Sequence, residues 1–365
     1  MPEFIPGLQL SELFYHNAVR PILDKYFPGL AYSAALIGSG SEVLGFDTPM
    51  SSDHHWGPRI LLFLNDADYE LYQQSIHDTL GDELPFTFRD FPTHFSDPNP
   101  NDNGVQLLQE TTSRPINHRV ETMTIPQFFK GAFALDYAQP IDATDWLTIP
   151  SQRLRAFTAG AVFHDDIGLE VIRQQFHYYP HDVWLYLLAA GWTRIGQEEH
   201  FVGRTGYVGD DLGSQVIAAR LVRDLMRLCF LMEKQYAPYP KWFGTAFSKL
   251  ACAQHLTPIF RGVMLAESWR EREQSLSQAY EALANMHSAL GITAALPTKV
   301  SNFWGRPFKV IHAENFADAI KAQIKDEAVK NIPIDIGSID QFSDSTDLLE
   351  HVELRGRLKT LYEAQ

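Results

Sequence analysis

Two kinds of hydrophobic pattern follow each other along the chain, and the first extends to about residue 150. Apolar side chains recur at helical spacing over residues 8–27, and Pro28-Gly29 follows them. Two short apolar runs, 34–37 and 60–64, end at turn residues, which is typical of buried strands. Residues 118–124 include valine and threonines and predict a third strand. The pattern therefore favours an α+β fold that begins with a mixed sheet and flanking helices.

The second pattern, from about residue 150 onward, is helical. Residues 180–195 are apolar nearly all round, which indicates a buried helix, and residues 212–236 carry one apolar stripe. Further helices are predicted at 242–255, 257–269, 271–290, 314–329 and 344–363. We predict three domains: 1–150 with the sheet, 151–296 as a helical bundle, and 297–365 as an extension with a short extended segment and helices.

Composition narrows the class of protein. The 365 residues have a formal net charge of −15, which argues against an extended nucleic-acid surface. Cys229 and Cys252 lie in apolar surroundings, so we expect reduced thiols and no disulfide framework. The sequence shows neither a signal peptide nor a run of about eighteen apolar residues, so a cytoplasmic protein that does not cross a membrane is expected.

The candidate chemistry begins directly after the first apolar run, at Gly38-Ser39-Gly40-Ser41. Glycine permits positive φ and a close approach of the backbone to a ligand, and successive N–H groups in such a turn bind anions. The Ser41 hydroxyl adds a donor for a phosphate oxygen. Asp53 follows, shortly before the second apolar run, and a carboxylate there suits a metal that bridges phosphate oxygens. By itself, a Gly/Ser-rich segment favours an ordinary turn.

The spacing of these residues resembles the signature of the nucleotidyltransferase superfamily, which includes polymerase beta-like and antibiotic nucleotidyltransferase-like proteins. Gly40-Ser41 matches its Gly-Ser pair, Gly45 its next glycine, and Ser52-Asp53 its Ser-Asp pair. The fuller wording of residues 40–47 and 53–59 looks like a little-characterised family of that superfamily, domain of unknown function 4037. The resemblance implies a nucleotidyltransferase-fold sheet, followed by a helical bundle domain.

The same resemblance implies an activity. A nucleoside monophosphate would pass from a nucleoside triphosphate, ATP being the first choice, to a hydroxyl or amine of a small molecule or a protein, with release of pyrophosphate. A divalent metal, Mg²⁺ or Mn²⁺, would assist. The triphosphate would be held by Ser39, Gly40 and Ser41. Asp53 and Glu121 would be catalytic, and Glu121, Glu198 or Glu199 are candidates for the base.

One position departs from the superfamily pattern. The second metal carboxylate is expected at residue 55, where the chain has His55. Imidazole prefers Mn²⁺ or Zn²⁺ to Mg²⁺, so Asp53, His55 and Glu121 together form the predicted metal site with an altered preference. Alternatively, Asp47 or Glu121 supplies the missing carboxylate, or His54 and His55 have only a structural role. A further alternative is a regulatory protein that binds nucleotide without transferring it.

In such enzymes the helical domain closes over the metal site. Arg204 and Lys241 would then neutralise phosphate charge, and Tyr239 or Trp242 would stack on a base or an acceptor ring. The alternative is that Arg204 and Lys241 form surface ion pairs.

Overall fold

The computed structural model describes residues 3–52 and 54–363. Asp53, which the sequence predicts as a catalytic and metal-binding residue, lies outside the described residues. The helices, in chain order, are α1 (Gly7–Phe14), α2 (Arg20–Tyr26), α3 (Asp66–Glu83), α4 (Ile125–Phe133), α5 (Ala143–Thr148), α6 (Ser151–Thr158), α7 (Leu169–Gln175), α8 (His181–Glu198), α9 (Phe201–Tyr207), α10 (Asp211–Met232), α11 (Pro240–Phe247), α12 (Ala253–Leu265), α13 (Trp269–Leu290), α14 (Ala313–Lys321), α15 (Glu327–Lys330), α16 (Ile339–Phe342), α17 (Thr346–Glu350) and α18 (Arg355–Leu358).

The chain forms two compact units. The first comprises Met1–Pro140 and Arg153–His177, and the second comprises Ile141–Gln152 and Tyr178–Gln365. The three predicted domains, 1–150, 151–296 and 297–365, stay a prediction, because grouping by proximity does not test which segments fold on their own.

The first unit is built on a four-stranded mixed sheet. Its strands are β1 (Tyr32–Leu36), β2 (Arg59–Leu64), β3 (Arg119–Thr124) and β4 (Ala161–Asp165). Their order is β3-β2-β1-β4, with β1 antiparallel to β2 and β4, and β2 parallel to β3. The mixed sheet of an α+β fold is therefore confirmed, whereas membership of the nucleotidyltransferase superfamily stays a proposal.

Both faces of the sheet are covered, as the apolar character of β1 and β2 requires. One face carries Ala34, Ile60, Leu62, Leu64 and Val120, which pack in one core with side chains of α1, α2 and α3. On the other face Phe63 contacts Phe128 of α4, edge to face, and α4, α6 and α7 share a cluster of aromatic rings. The members of that cluster are Phe128, Phe129, Phe133, Phe157 and Phe176.

Local hydrophobic patterns predicted several helices and strands of the first unit, but not which of their side chains are exposed. The predicted helix 8–27 is α1 and α2 joined by a π-helical turn at Tyr15–Val19. The predicted strand 118–124 is β3. Leu71 of α3 is apolar, yet it is 71% exposed. Its helix has only three buried residues, so no core holds the side that Leu71 occupies.

In the second unit α8 is buried over most of its length, as its continuous apolar sequence predicted. Gly203 and Gly206 lie inside α9 rather than in a turn. The glycines serve close packing instead. A Cβ on Gly203 would lie 2.6 Å from a ring carbon of Phe308, and one on Gly206 would overlap Trp269.

The end of the chain also differs from expectation. The predicted helices 314–329 and 344–363 are divided into α14, α15, α17 and α18, with irregular or 3₁₀ segments between them. The predicted extended segment is a short hairpin that pairs Ser301–Asn302 with Lys309–Val310. The ends of these helices therefore differ from those that the hydrophobic pattern predicted.

Candidate functional site

The topology of the first unit gathers the predicted site at one end of the sheet. The turn 38–41 follows the last residue of β1. Because β2 is antiparallel to β1, its first residue, Arg59, lies at that same end, and the parallel strand β3 begins beside it, since Arg59 is paired with Arg119. Residues alternate between the faces of a strand, so Arg59, Arg119 and Glu121 share one face.

The turn itself has the backbone that glycine allows. Gly38 has a φ of +88° and Gly40 a φ of +137°. The Gly38 N–H donates to the carbonyl of Ala156 at 2.9 Å, so this amide is already used within the protein. Ser39 is exposed, and Ser41 is half-buried. The part of the turn that is open to a ligand therefore begins at Ser39.

A buried ion pair between Arg59 and Glu42 packs against the turn. Arg59 donates from Nε to Oε1 of Glu42 at 2.7 Å, and its Nη2 lies 2.6 Å from the same oxygen. Nη2 also donates to the carbonyl of Ser39. Only 8% of Arg59 and 3% of Glu42 is exposed. A Cβ on Gly40 would lie against Arg59 and 2.6 Å from Oε2 of Glu42, so only glycine fits at this position.

A second arginine joins two of the predicted metal ligands. Arg119 donates from Nη1 to Nδ1 of His55 at 2.6 Å and from Nη2 to Oε1 of Glu121 at 2.8 Å. Nδ1 is thus an acceptor, so the imidazole of His55 is neutral. Burial, and next the positive charges of Arg119 and Arg59, hold the pKa of His55 below its usual 6.5. His55 has a φ of +52°, a strained backbone for a non-glycine residue.

These hydrogen bonds do not form a metal site by themselves. Among residues 3–52 and 54–363, no group of three or more His, Cys, Asp and Glu side chains is arranged to hold a metal ion. Asp47, the predicted substitute ligand, accepts hydrogen bonds from the Gly7 N–H at 2.7 Å and from Trp56 Nε1 at 3.1 Å. A cation held by the predicted set of Asp53, His55 and Glu121 would compete with Arg119 for Nδ1 of His55 and Oε1 of Glu121.

The remaining predicted residues belong to the second unit. Arg204 is exposed on α9 near the ring of Phe201, and Lys241 is exposed in the first turn of α11 with its ammonium 5.1 Å from the ring centre of Trp242. The Tyr239 N–H donates to Gln152. Their predicted closure over the turn 38–41 stays a prediction.

The predicted base candidates Glu198 and Glu199 of the second unit have structural partners. Glu198 pairs with Arg220 at 2.6 Å. Glu199 accepts from the N–H groups of Ile311 and Ala313, and burial raises its pKa to about 7.

Three residues that the motif did not single out shape the site: Glu42, Arg59 and Arg119. A signal was present in the sequence, because Arg59 directly precedes an uninterrupted apolar strand and Glu42 directly follows Ser41. The pairing of Glu42 with Arg59 could not be predicted from the sequence, since it depends on strands β1 and β2 lying side by side.

One comparison with known proteins finds a match, and the matched range includes parts of both units. Residues 146–243 match the family model described as domain of unknown function (DUF4037), the family that the motif wording led us to expect. The match covers less than a third of the chain and excludes the turn 38–41, so it carries no information about nucleotidyl transfer. No curated protein and no solved structure matches this sequence.

The helices also bear on the expected absence of a membrane span. In the part of the chain that the structure describes, no helix is both long enough and apolar enough to cross a bilayer.

Proposed function

We propose that this protein is a nucleotidyltransferase that uses a divalent metal to move a nucleoside monophosphate from a nucleoside triphosphate to a small-molecule hydroxyl or amine. The observation that supports the proposal is the meeting of three segments at one end of the sheet. These are the turn after β1, the start of β2 with Arg59, and the start of β3 with Arg119 and Glu121. A turn with backbone and hydroxyl donors for phosphate, beside a strand that carries the carboxylate Glu121, suits nucleotidyl transfer, because phosphate charge is stabilised by preorganised donors.

The residues of the turn would bind the triphosphate with backbone and hydroxyl donors from Ser39, Gly40 and Ser41. Arg59 keeps the turn in shape but adds no free charge, because Glu42 neutralises it. Arg119 is the cation available to a phosphate, since the side chain of its partner Glu121 is 47% exposed and holds it only weakly. A phosphate that takes Arg119 would set free Glu121 and the Nδ1 atom of His55.

A bound Mg²⁺ or Mn²⁺ would polarise the α-phosphate and neutralise charge on the leaving pyrophosphate. Asp53, His55 and Glu121 are the residues that would hold it. Release of Arg119 would free Nδ1 of His55 and Oε1 of Glu121 for the metal. Nucleotide and metal are therefore expected to bind together rather than independently.

A second function is favoured by one specific contact. Arg119 lies between His55 and Glu121, where a guanidinium takes the place of a metal. A protein that keeps this arrangement with nucleotide bound would bind the triphosphate and not transfer it. It would act as a nucleotide-responsive regulatory protein.

The deciding experiment is a calorimetric titration of the protein with ATP, GTP, CTP and UTP, first with Mg²⁺ and then with Mn²⁺, followed by a pyrophosphate assay with hydroxyl and amine acceptors. Asp53→Ala tests the metal ligand, and Glu110→Ala, an exposed carboxylate of the same unit, is the matched control. Metal-dependent binding and pyrophosphate release that Asp53→Ala abolishes support transfer. Binding without release supports the regulatory function, and no binding of any nucleotide overturns both.

A further inference from the structure

The two cysteines of the chain, far apart in sequence, lie next to each other in the second unit. Cys229 is on α10, fully buried, and its thiol interacts directly with that of Cys252. Cys252 is the residue that precedes α12, and it is half-buried. Cys252 is therefore partly exposed to solvent, whereas Cys229 is not.

A carboxylate holds the two backbone segments together. Glu233 follows α10, and its N–H donates to the carbonyl of Cys229 at 2.9 Å. Its side chain accepts hydrogen bonds from the N–H groups of Ala251 and Cys252, at 2.7 and 2.8 Å. The position of Cys252 against the end of α10 is thus set by charge-assisted hydrogen bonds and does not depend on the sulfur atoms themselves.

We propose that Cys229 and Cys252 form a reversible disulfide that joins the end of α10 to the start of α12, and that hydroperoxides are the oxidants. The thiolate of the solvent-reachable Cys252 attacks the peroxide oxygen, the O–O bond breaks, and Cys252 becomes a sulfenic acid while the peroxide is reduced to water or an alcohol. The sulfur of Cys229 then attacks that of Cys252, the S–O bond breaks, and a second molecule of water leaves with the proton of Cys229.

The order of the two steps follows from the surroundings of each thiol. Burial raises the pKa of Cys229 well above its ordinary value of 9.0, and a neutral thiol is a poor nucleophile toward peroxide. Cys229 is therefore the resolving cysteine. The disulfide would close a ring over residues 230–251, which include α11 with Lys241 and Trp242. The inference is independent of the proposed function, because it concerns only the second unit.

The test treats the reduced protein with hydrogen peroxide under native conditions, then denatures it, alkylates free thiols and measures the intact mass. We expect a loss of about 2 Da, no alkylation at either position, and full reversal by dithiothreitol. Cys252→Ser should leave Cys229 reduced and alkylated. Cys229→Ala should stop the reaction at a Cys252 sulfenic acid that dimedone traps.

Several results would overturn the proposal. These are alkylation of both cysteines in the oxidised wild type, conversion of Cys252 to a sulfinic acid without a bridge, and a dimer on a non-reducing gel. Cys252 is half-buried, so Cys252→Ser keeps the test valid if the buried variant Cys229→Ala fails to fold.

Discussion

Glu42 and Arg59 form an ion pair beneath the turn 38–41, with both side chains almost completely removed from solvent. Glu42 directly follows the turn and Arg59 begins β2, so their contact connects the turn to the sheet. A buried pair of this kind contributes little net stability compared with an apolar pair, but the loss of one partner leaves an uncompensated buried charge. The turn is therefore sensitive to substitutions at either residue.

Substitution of Glu42 by glutamine tests this connection. Glu42→Gln preserves the size of the side chain and leaves the charge of Arg59 buried without a counter-charge. We expect the free energy of unfolding to fall by about 3 to 5 kcal/mol, measured by urea denaturation. Asp24→Asn is the control, because the ion pair of Asp24 with Arg20 is exposed and should change stability by less than about 0.5 kcal/mol. Equal effects of the two substitutions would contradict the role of the buried pair.

The glycines of the motif should differ in their tolerance of a side chain. Gly40 and Gly45 both have positive φ, but a Cβ on Gly45 would meet no atom within 4 Å. Gly45→Ala should therefore cost only about 1 kcal/mol for its backbone. Gly40→Ala should lower the thermal unfolding temperature further and, under the proposed function, weaken nucleotide binding at least tenfold, or about 1.4 kcal/mol. Thermal unfolding and calorimetric titration measure the two effects, and a Gly40→Ala protein that binds nucleotide normally would exclude the turn as the binding site.

Arg119 should control both the protonation of His55 and its availability to a metal ion. Its removal in Arg119→Gln takes away a neighbouring positive charge, so the pKa of His55 should rise toward 6.5, although the burial that is the larger cause remains. Chemical shifts of the His55 ring protons followed against pH measure this change. Mn²⁺ should bind several-fold more tightly to Arg119→Gln than to the wild type, because Nδ1 of His55 and a carboxylate oxygen of Glu121 are released.

The control for this experiment is Arg89→Gln, which removes an exposed arginine of the same unit. It should leave both the His55 titration and Mn²⁺ affinity unchanged. An Arg119→Gln protein with the wild-type His55 titration would show that the contact between Arg119 and His55 does not influence the imidazole.

His118 should make the first unit sensitive to acid. Its ring is 5% exposed, Nε2 lies 3.0 Å from the carbonyl of His77, and burial lowers its pKa to about 4. Above pH 6.5 neither the folded nor the unfolded chain protonates this residue. As the pH falls from 6.5 toward 4, the unfolded chain binds a proton that the folded chain rejects, so the free energy of unfolding falls, by about 3 kcal/mol at most.

Urea denaturation at pH 7 and pH 4.5 measures this effect. His118→Asn should lose much of the difference in stability between the two values of pH, whereas His54→Asn, at an exposed position, should keep it. The same dependence in both variants would show that groups other than His118 cause the acid sensitivity.

The sequence determined the elements whose patterns are local. The apolar runs 34–37 and 60–64 correctly predicted β1 and β2, and the all-round apolar segment 180–195 predicted the buried helix α8. These predictions succeed because the hydrophobic period of a short segment, together with its flanking turn residues, indicates whether it is a helix or a strand and which of its faces are buried. The glycines at 38 and 40 likewise indicated positive φ, which the turn has.

The tertiary structure alone decided which of these elements meet and which side chains pair. Gly203 and Gly206 lie in α9, where neighbouring side chains leave no space for a Cβ. The assembled sheet brings Arg59 to Glu42, 17 residues away, and Arg119 to His55, 64 residues away. Such contacts depend on the packing of segments that are distant in sequence, and a local hydrophobic period reports only which side of its own segment is buried.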